Sequence, residues 1–222
     1  MRVGGAEPMV RAITIAREYG GGGASVARLL ADRLGWRLLD RDLLNEVARA
    51  ANVAPAVAER FDERIDPWFH RLVKHALWRG APDAPISVDN LDLFDAETMA
   101  VVGRKVIEEA ARMGNCVVVG RGAQCILHGW PEVFHVFLYA PIEIRKKRVA
   151  ERRGPCPKGA PDLEAVIREY DRLRAAGVRR YFAQEWCNPN LYDLMINTKR
   201  GYESAMETIL CAAEVKAEAG AR

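Results

Sequence analysis

The feature that most constrains the fold of this chain is the alternation of short apolar runs with helical patterns. Residues 12–16 form a β-branched apolar run, and an apolar repeat at helical spacing begins near Ser25 and closes at Gly35. Four further apolar runs predict strands at 36–39, 116–120, 133–139 and 192–196. Strands that alternate with helices favour a parallel sheet covered on both faces, with ligands at the carboxyl ends of the strands. We therefore predict a three-layer α/β fold around a five-stranded parallel sheet.

A long helical stretch separates the second and third apolar runs. Residues 41–114 carry apolar residues mainly at helical spacing and are interrupted by a Pro/Gly/Asp break at 80–85. We predict that this stretch is a helical insertion into the α/β core. A chain of 222 residues is long enough for one domain with a sizeable core and such an insertion.

Charge and cysteine content narrow the classes of function. The formal net charge is only +3, whereas nucleic-acid binders usually concentrate more positive charge on one face, so we expect no nucleic-acid partner. The five cysteines include no CxxC pair and the four histidines no HxxxH or HxH pair, which argues against a metal site or a disulfide framework. Residues 1–8 lack the apolar stretch of a secretory signal, and no segment has the length of a membrane span. We expect a soluble cytoplasmic protein with no membrane partner.

A glycine-rich tract lies between the first predicted strand and the first helix. Its residues are Gly20, Gly21, Gly22, Gly23, Ala24 and Ser25. Glycine permits unusual backbone dihedrals, and N–H groups at the start of a helix can converge on an anion. The tract is therefore a candidate phosphate-binding loop, in which the Ser25 hydroxyl is a candidate magnesium ligand. Four glycines alone are equally consistent with a flexible turn.

Several segments resemble the cytidylate-kinase-like family of P-loop nucleoside monophosphate kinases. Residues 13–23 (ITIAREYGGGG) and 34–40 (LGWRLLD) are similar to the opening of that family. Residues 116–123 (CVVVGRGA) are similar to its apolar strand that ends in Gly-Arg-Gly, and residues 192–198 (YDLMINT) resemble its last strand. Residues 61–64 (FDER) resemble a turn of its helical insertion. The matches run in chain order from about residue 12 to 210.

This resemblance implies a P-loop NMP-kinase-like fold. It also implies ATP-dependent phosphoryl transfer to a nucleoside monophosphate, with CMP or dCMP as the expected acceptor. ATP and Mg²⁺ would bind at the glycine tract and the monophosphate under the helical insertion. A single domain over residues 1–222 would comprise a core (about 10–40, 115–150 and 190–218), the insertion (about 41–114) and a lid (about 151–180). The expected partners are a nucleoside triphosphate and a nucleoside monophosphate, and the sequence leaves the oligomeric state open.

Phosphoryl transfer depends on alignment and on cations that neutralise charge, so arginines are the candidate catalytic residues. Arg148 and Arg152 lie four residues apart on one face of a helix, just before a Gly/Pro break where related kinases carry a mobile lid. The set Arg168, Asp171 and Arg174 has an RxxDxxR spacing that resembles the lid-return helix of NMP kinases, with Asp171 holding the arginines. A solvated helix face or an intrahelical salt-bridge ladder is the alternative interpretation of these charges.

The resemblance also assigns residues to the acceptor. Arg121 is assigned to the acceptor phosphate or base. Gly122 stands where cytidylate kinases have aspartate, so a carboxylate that could contact the exocyclic amine of cytosine is missing. Asp40 and Arg41 follow the second strand and are assigned to the same acceptor side, although Asp40 is equally well placed to cap the next helix.

The phosphate loop departs from the usual P-loop because it contains no lysine. Alignment of the strand at 36–40 puts Gly23 at the lysine position and Ala24 next to it. Loss of one preorganised donor commonly costs about 3 kcal/mol of barrier, on the order of a hundredfold in rate. Arg17 and Arg28 are the candidate substitutes, and we predict that Arg17 reaches the β- or γ-phosphate. The alternative function is a nucleotide-binding sensor or regulatory protein that keeps the kinase fold without turnover.

Overall fold

The computed structural model describes residues 9–40, 96–153 and 162–215. The predictions for residues 41–95, including Arg41, and for the Gly/Pro break at 154–161 lie outside the described residues. The chain separates into two compact units, Met1–Leu38 with Asn115–Arg222, and Leu39–Gly114. The single-domain organisation and the lid boundaries stay predictions.

The described residues contain one five-stranded sheet. Its strands are β1 (Ala12–Arg17), β2 (Arg37–Leu39), β3 (Cys116–Val119), β4 (Val133–Tyr139) and β5 (Leu194–Asn197), in the order β2-β3-β1-β4-β5. β1 lies at the centre and pairs in parallel with β3 and β4, so that Ile13 is opposite both Val117 and Phe134. β4 pairs in parallel with β5. The predicted five-stranded parallel sheet is confirmed.

Helices connect these strands in chain order. They are α1 (Gly23–Leu34), α2 (Ala96–Met113), α3 (Ala123–Ile126), α4 (Ile142–Arg153), α5 (Leu163–Phe182) and α6 (Tyr202–Ala212). α1 ends where the sequence predicts, because Gly35 adopts a left-handed φ of 65° and its N–H donates to the carbonyl of Ala31. Across the described residues, none of these helices combines the length and apolar character needed to cross a membrane.

Apolar side chains cover both faces of the sheet. On one face, Ile15 packs in a cluster with Leu30 of α1 and Ile209 of α6. On the other face, Phe137 packs in a second cluster with Val178 of α5. Because side chains of successive strand residues alternate between faces, the two clusters form separate layers. The predicted three-layer arrangement is confirmed.

A polar pair interrupts the second apolar face. Thr14 of β1 lies opposite His135 of β4 in the parallel register, and its hydroxyl is 2.7 Å from Nδ1 of the imidazole. The backbone N–H of His135 donates to the carboxylate of Asp193 at 2.7 Å. Burial lowers the pKa of His135 below its usual value, so the neutral imidazole is the favoured form inside the sheet.

Candidate functional site

The ends of four parallel strands meet at one edge of the sheet, here called the carboxyl edge. The N–H of Glu18, which follows β1, donates to the carbonyl of Leu138 in β4, and the N–H of Gly120, which follows β3, donates to Ile15. The hydroxyl of Thr198, which follows β5, donates to the carbonyl of Gly21 at 2.9 Å. The glycine tract therefore lies at the edge where parallel α/β sheets bind ligands.

The candidate phosphate-binding loop, residues 20–25 and called the phosphate loop below, follows β1 after two residues and includes the first residues of α1. Gly22 caps the helix with a left-handed φ of 88°, and a Cβ atom built on it would lie 2.5 Å from Cε1 of Tyr202. Both the dihedral and this close contact favour glycine. With no side-chain cap on the first turn of α1, its backbone N–H groups can serve an anion.

Arg17 is a partly buried cation beside the phosphate loop. It is the last residue of β1, and its side chain runs past Gly23 toward Gly120. Burial, followed by repulsion from Arg174 and Arg121, lowers the pKa of Arg17 to about 10. The side chain remains protonated at neutral pH, but its charge is destabilised until an anion approaches.

Asp171 of α5 links three parts of this site. Its carboxylate accepts from the N–H of Tyr19 at 2.7 Å, from Arg145 at 2.5 Å and from Arg174 at 3.4 Å. Arg174 in turn donates to the carbonyl of Arg17 at 3.1 Å. α5 is thus hydrogen-bonded to the chain on both sides of Glu18, immediately before the glycines.

Glu18 and Arg145 form the buried part of the same network. The Glu18 carboxylate accepts from the N–H of Ala140 at 3.1 Å and lies 3.4 Å from Arg145. Burial raises the pKa of Glu18 despite these favourable partners. Arg145 has two carboxylate partners, Glu18 and Asp171, and its side chain is only 8% exposed.

Tyr19 provides an aromatic surface at the same place. Its ring stacks on Tyr170 with centroids 4.3 Å apart and an interplanar angle of 10°. The guanidinium groups of Arg174 and Arg152 lie 5.5 and 5.7 Å from the Tyr19 centroid. These cation–π contacts draw two of the predicted catalytic arginines toward the residue that precedes Gly20.

Arg148 supports the phosphate loop from behind. It donates to the hydroxyl of Thr198 at 2.8 Å and to the Thr198 carbonyl at 2.7 Å, and it lies 4.6 Å from the Tyr202 ring centroid. Thr198 bonds to Gly21, and Tyr202 contacts Gly22. Arg148 therefore contacts the phosphate loop indirectly, through Thr198 and Tyr202.

The structure brings together most of the residues predicted for the phosphates. Arg17, Arg121, Asp171, Arg174 and Arg152 belong to the group around the phosphate loop. Arg168 does not join them, because it is 66% exposed and pairs with Glu164 of the preceding turn at 2.6 Å. Asp40 belongs to the second compact unit, Leu39–Gly114. The functional roles of all these residues stay predictions.

Part of this network could not be predicted from residue types. The predictions from sequence assign no role to Glu18, Tyr19, Arg145, Thr198 or Tyr202. The signal available for Glu18 and Tyr19 was their position between the first strand and the glycines. No such signal existed for Arg145 or Thr198, because their partners Tyr19 and Gly21 lie more than 100 positions away in the chain.

Magnesium is the cofactor that the resemblance implies, and the loop offers it one ligand. Among the residues with described side chains, no group of three or more His, Cys, Asp or Glu could hold a metal ion. Mg²⁺ at phosphoryl-transfer sites is usually bound by substrate phosphates, water and only one or two protein oxygens. The exposed hydroxyl of Ser25, the third residue of α1, fits that limited role.

The fold and this edge of the sheet define the class of protein, an α/β protein with a P-loop kinase fold. Shikimate kinase from Bacteroides thetaiotaomicron has 15% sequence identity to this chain and a TM-score of 0.50, and the match covers 92% of this chain and 99% of that one. A protein from Eubacterium ventriosum has 22% sequence identity to this chain and a TM-score of 0.66. The match covers 93% of this chain and 99% of that one.

Sequence comparison gives the family. The model of the cytidylate kinase-like family matches residues 12–200. Cytidylate kinase from Ignicoccus hospitalis is 26% identical over 198 residues, which are 89% of this chain and 95% of that protein. The chain belongs to the cytidylate kinase-like family.

Proposed function

We propose that this protein transfers the γ-phosphoryl group of ATP to a nucleoside monophosphate, with CMP and dCMP as the first candidate acceptors. One observation carries the proposal: the Arg17 side chain lies against Gly23 of the phosphate loop, where Arg174 and Arg121 both raise the cost of its positive charge by repulsion. A polyphosphate would relieve that repulsion, and each guanidinium can fork onto two phosphate oxygens.

In the proposed reaction, an oxygen of the acceptor phosphate forms a bond to the γ-phosphorus of ATP. The bond from that phosphorus to the β–γ bridging oxygen breaks, and its electron pair stays on the departing ADP. The products are ADP and the nucleoside diphosphate. Guanidinium groups fixed in advance stabilise the charge on the transferred group and on the bridging oxygen.

Each element of the network has a role in this proposal. The first turn of α1 binds phosphate oxygens through its N–H groups. Asp171 positions Arg174, and Arg148 supports the loop through Thr198. Bound Mg²⁺, with Ser25 as its candidate ligand, would supply additional positive charge on the triphosphate.

The acceptor side depends on Arg121 and on the absence of a side chain at Gly122. Gly122 has a left-handed φ of 70°, and a Cβ atom built on it would overlap the ring of Phe182. The aspartate found there in cytidylate kinases would be strained in this backbone conformation and would require the Phe182 ring to move. Cytosine would have to be recognised by its shape and by other groups.

The second candidate function is a nucleotide-binding sensor without turnover. It is favoured by one specific observation, the glycine at position 23 where a P-loop has lysine. The two candidates share nucleotide binding and differ in phosphoryl transfer.

The test uses the full chain with ATP, Mg²⁺ and, in separate reactions, CMP, dCMP, UMP, AMP and GMP. Chromatography measures nucleoside diphosphate, and calorimetry measures ATP affinity. We expect turnover with at least one pyrimidine monophosphate. ATP binding with every acceptor at background would support the sensor, and absence of both would contradict both candidates.

A further inference from the structure

We propose that Arg17 replaces the P-loop lysine, because it delivers a cation from β1 to the β- and γ-phosphates through the space that Gly23 leaves open. This inference rests on the proposed function, and it adds the residue that makes turnover possible in a loop without lysine.

Arg17 and any side chain at position 23 would compete for the same volume. A Cβ atom built on Gly23 would overlap Cγ of Arg17 and lie 2.9 Å from both its Cβ and its Cδ. Gly23 is a helical residue without a positive φ, so the backbone conformation does not explain glycine there. The Arg17 side chain, which occupies the space beside Gly23, does explain why glycine is required there.

The guanidinium end of Arg17 lies against Gly120. A Cβ atom built on Gly120 would overlap Nη1 of Arg17 and lie 3.2 Å from its Cζ. Gly120 follows β3, next to β1 in the sheet, and donates its N–H to Ile15. The guanidinium therefore reaches the carboxyl edge between two strand ends, beside the first turn of α1.

The charges around Arg17 favour the binding of an anion. Within residues 9–40, 96–153 and 162–215, no carboxylate forms an ion pair with Arg17. Its charged neighbours there are Arg174 and Arg121, and burial with their repulsion lowers its pKa to about 10. A partly buried cation among like charges is stabilised when an anion binds beside it, as expected of a phosphate-binding residue.

Arg28, the other candidate substitute, is less suitable. It lies in the second turn of α1 and is exposed, whereas Arg17 is already beside the first turn. The geometry therefore favours Arg17, and the two arginines can be compared directly by mutation.

The test relocates the cation. Arg17→Met removes the charge and keeps much of the volume, so we expect kcat to fall about a hundredfold, the loss typical of one preorganised donor. Gly23→Lys alone should also be impaired, because its side chain overlaps Arg17. In the double variant Arg17→Ala/Gly23→Lys, lysine enters the vacated space, and we expect kcat to return to within about tenfold of wild type.

The controls separate a catalytic loss from misfolding. Arg28→Met should keep wild-type kcat, and thermal unfolding verifies that each variant is folded. If Arg17→Met fails to fold, recovery of folding and kcat in the double variant still supports the proposal. Wild-type kcat in folded Arg17→Met would overturn it, as would failure of a folded double variant to exceed the rate of Arg17→Ala.

Failure of the proposed function gives a different result. If wild type forms no nucleoside diphosphate, the kinase proposal fails, and binding of inorganic tripolyphosphate becomes the readout for Arg17. We then expect Arg17→Met to weaken that binding at least tenfold, and unchanged affinity would overturn the inference.

Discussion

Asp171 is the residue on which the positions of several others depend. It fixes Tyr19 by a backbone hydrogen bond and pairs with Arg145 and Arg174. Its own carboxylate is occupied by these three donors, which favours a positioning role for Asp171 over direct contact with phosphate. Removal of the negative charge should therefore alter both stability and phosphate binding.

We predict that Asp171→Asn lowers the free energy of unfolding by about 2 kcal/mol, because breaking one side of a buried ion pair is costly. Glu18 remains 3.4 Å from Arg145 and limits the loss. Urea denaturation measures the change. The matched control is Arg172→Gln on the same helix, whose exposed pair with Glu169 should contribute nothing measurable. Equal stability of Asp171→Asn and wild type would contradict the role of Asp171.

Gly122 makes a prediction about the acceptor. A site that hydrogen-bonds a substrate group can reject an analogue lacking it by factors of about 10⁴–10⁵, whereas shape alone gives roughly 10–200-fold. Because no side chain is present at position 122, we expect kcat/KM for CMP and UMP to differ by less than about 200-fold. Initial rates with the two acceptors measure the ratio. A ratio above 10⁴ would mean that another polar group reads the amine.

At the scale of elements, the central strands combine an apolar core with the buried polar pair of Thr14 and His135, of which His135 can titrate. Burial keeps the pKa of His135 below its usual value, so the unfolded chain binds more protons than the folded one between the two pKa values. Stability is therefore complete above about pH 6.5 and is lost as the pH falls from there toward the folded pKa.

We predict that the urea midpoint of wild type decreases between pH 7.5 and 5.5, and that His135→Gln reduces this pH dependence. Glutamine keeps a polar group beside Thr14 and cannot titrate. His128→Gln is the comparison variant: His128 is exposed and only adds to the lowering of the His135 pKa, so this variant should reduce the pH dependence less than His135→Gln does. Identical pH dependence in wild type and His135→Gln would assign the effect to other groups.

The elements also show what the sequence could predict. The strand at 133–139 has the predicted bounds, because its apolar run is long and central. α1 begins at Gly23 instead of near Ser25, since glycines give no helical pattern and its cap uses no side chain. β5 begins at Leu194 instead of Tyr192, because Tyr192 ends a short 3-10 turn, donating its N–H to Pro189.

Helix rotation explains why the two arginines of the RxxDxxR set, Arg168 and Arg174, have different partners. At 3.6 residues per turn, positions six apart differ by about 120° around the axis. Arg174 therefore points toward Arg17 while Arg168 pairs with Glu164. The spacing alone identified both arginines but could not give the orientation of α5 on the sheet, which is set by buried residues such as Val178.

At the scale of the whole molecule, the site is assembled from distant parts of the chain. The phosphate loop, the strand ends at Gly120 and Thr198, and α5 meet only because the strands are parallel and share one carboxyl edge. The alternating pattern could predict that edge. It could not predict which of the many arginines would reach it, because that depends on tertiary contacts such as those between Arg145 and Asp171.

The central claim is that the phosphate loop and its guanidinium groups bind the polyphosphate of a nucleotide. Competition calorimetry on the wild-type chain tests it most directly, with ATP as the ligand and either inorganic tripolyphosphate or adenosine as the competitor. We predict that ATP binds and that tripolyphosphate displaces it more effectively than adenosine. Absence of ATP binding, or displacement by adenosine and not by tripolyphosphate, would contradict the account.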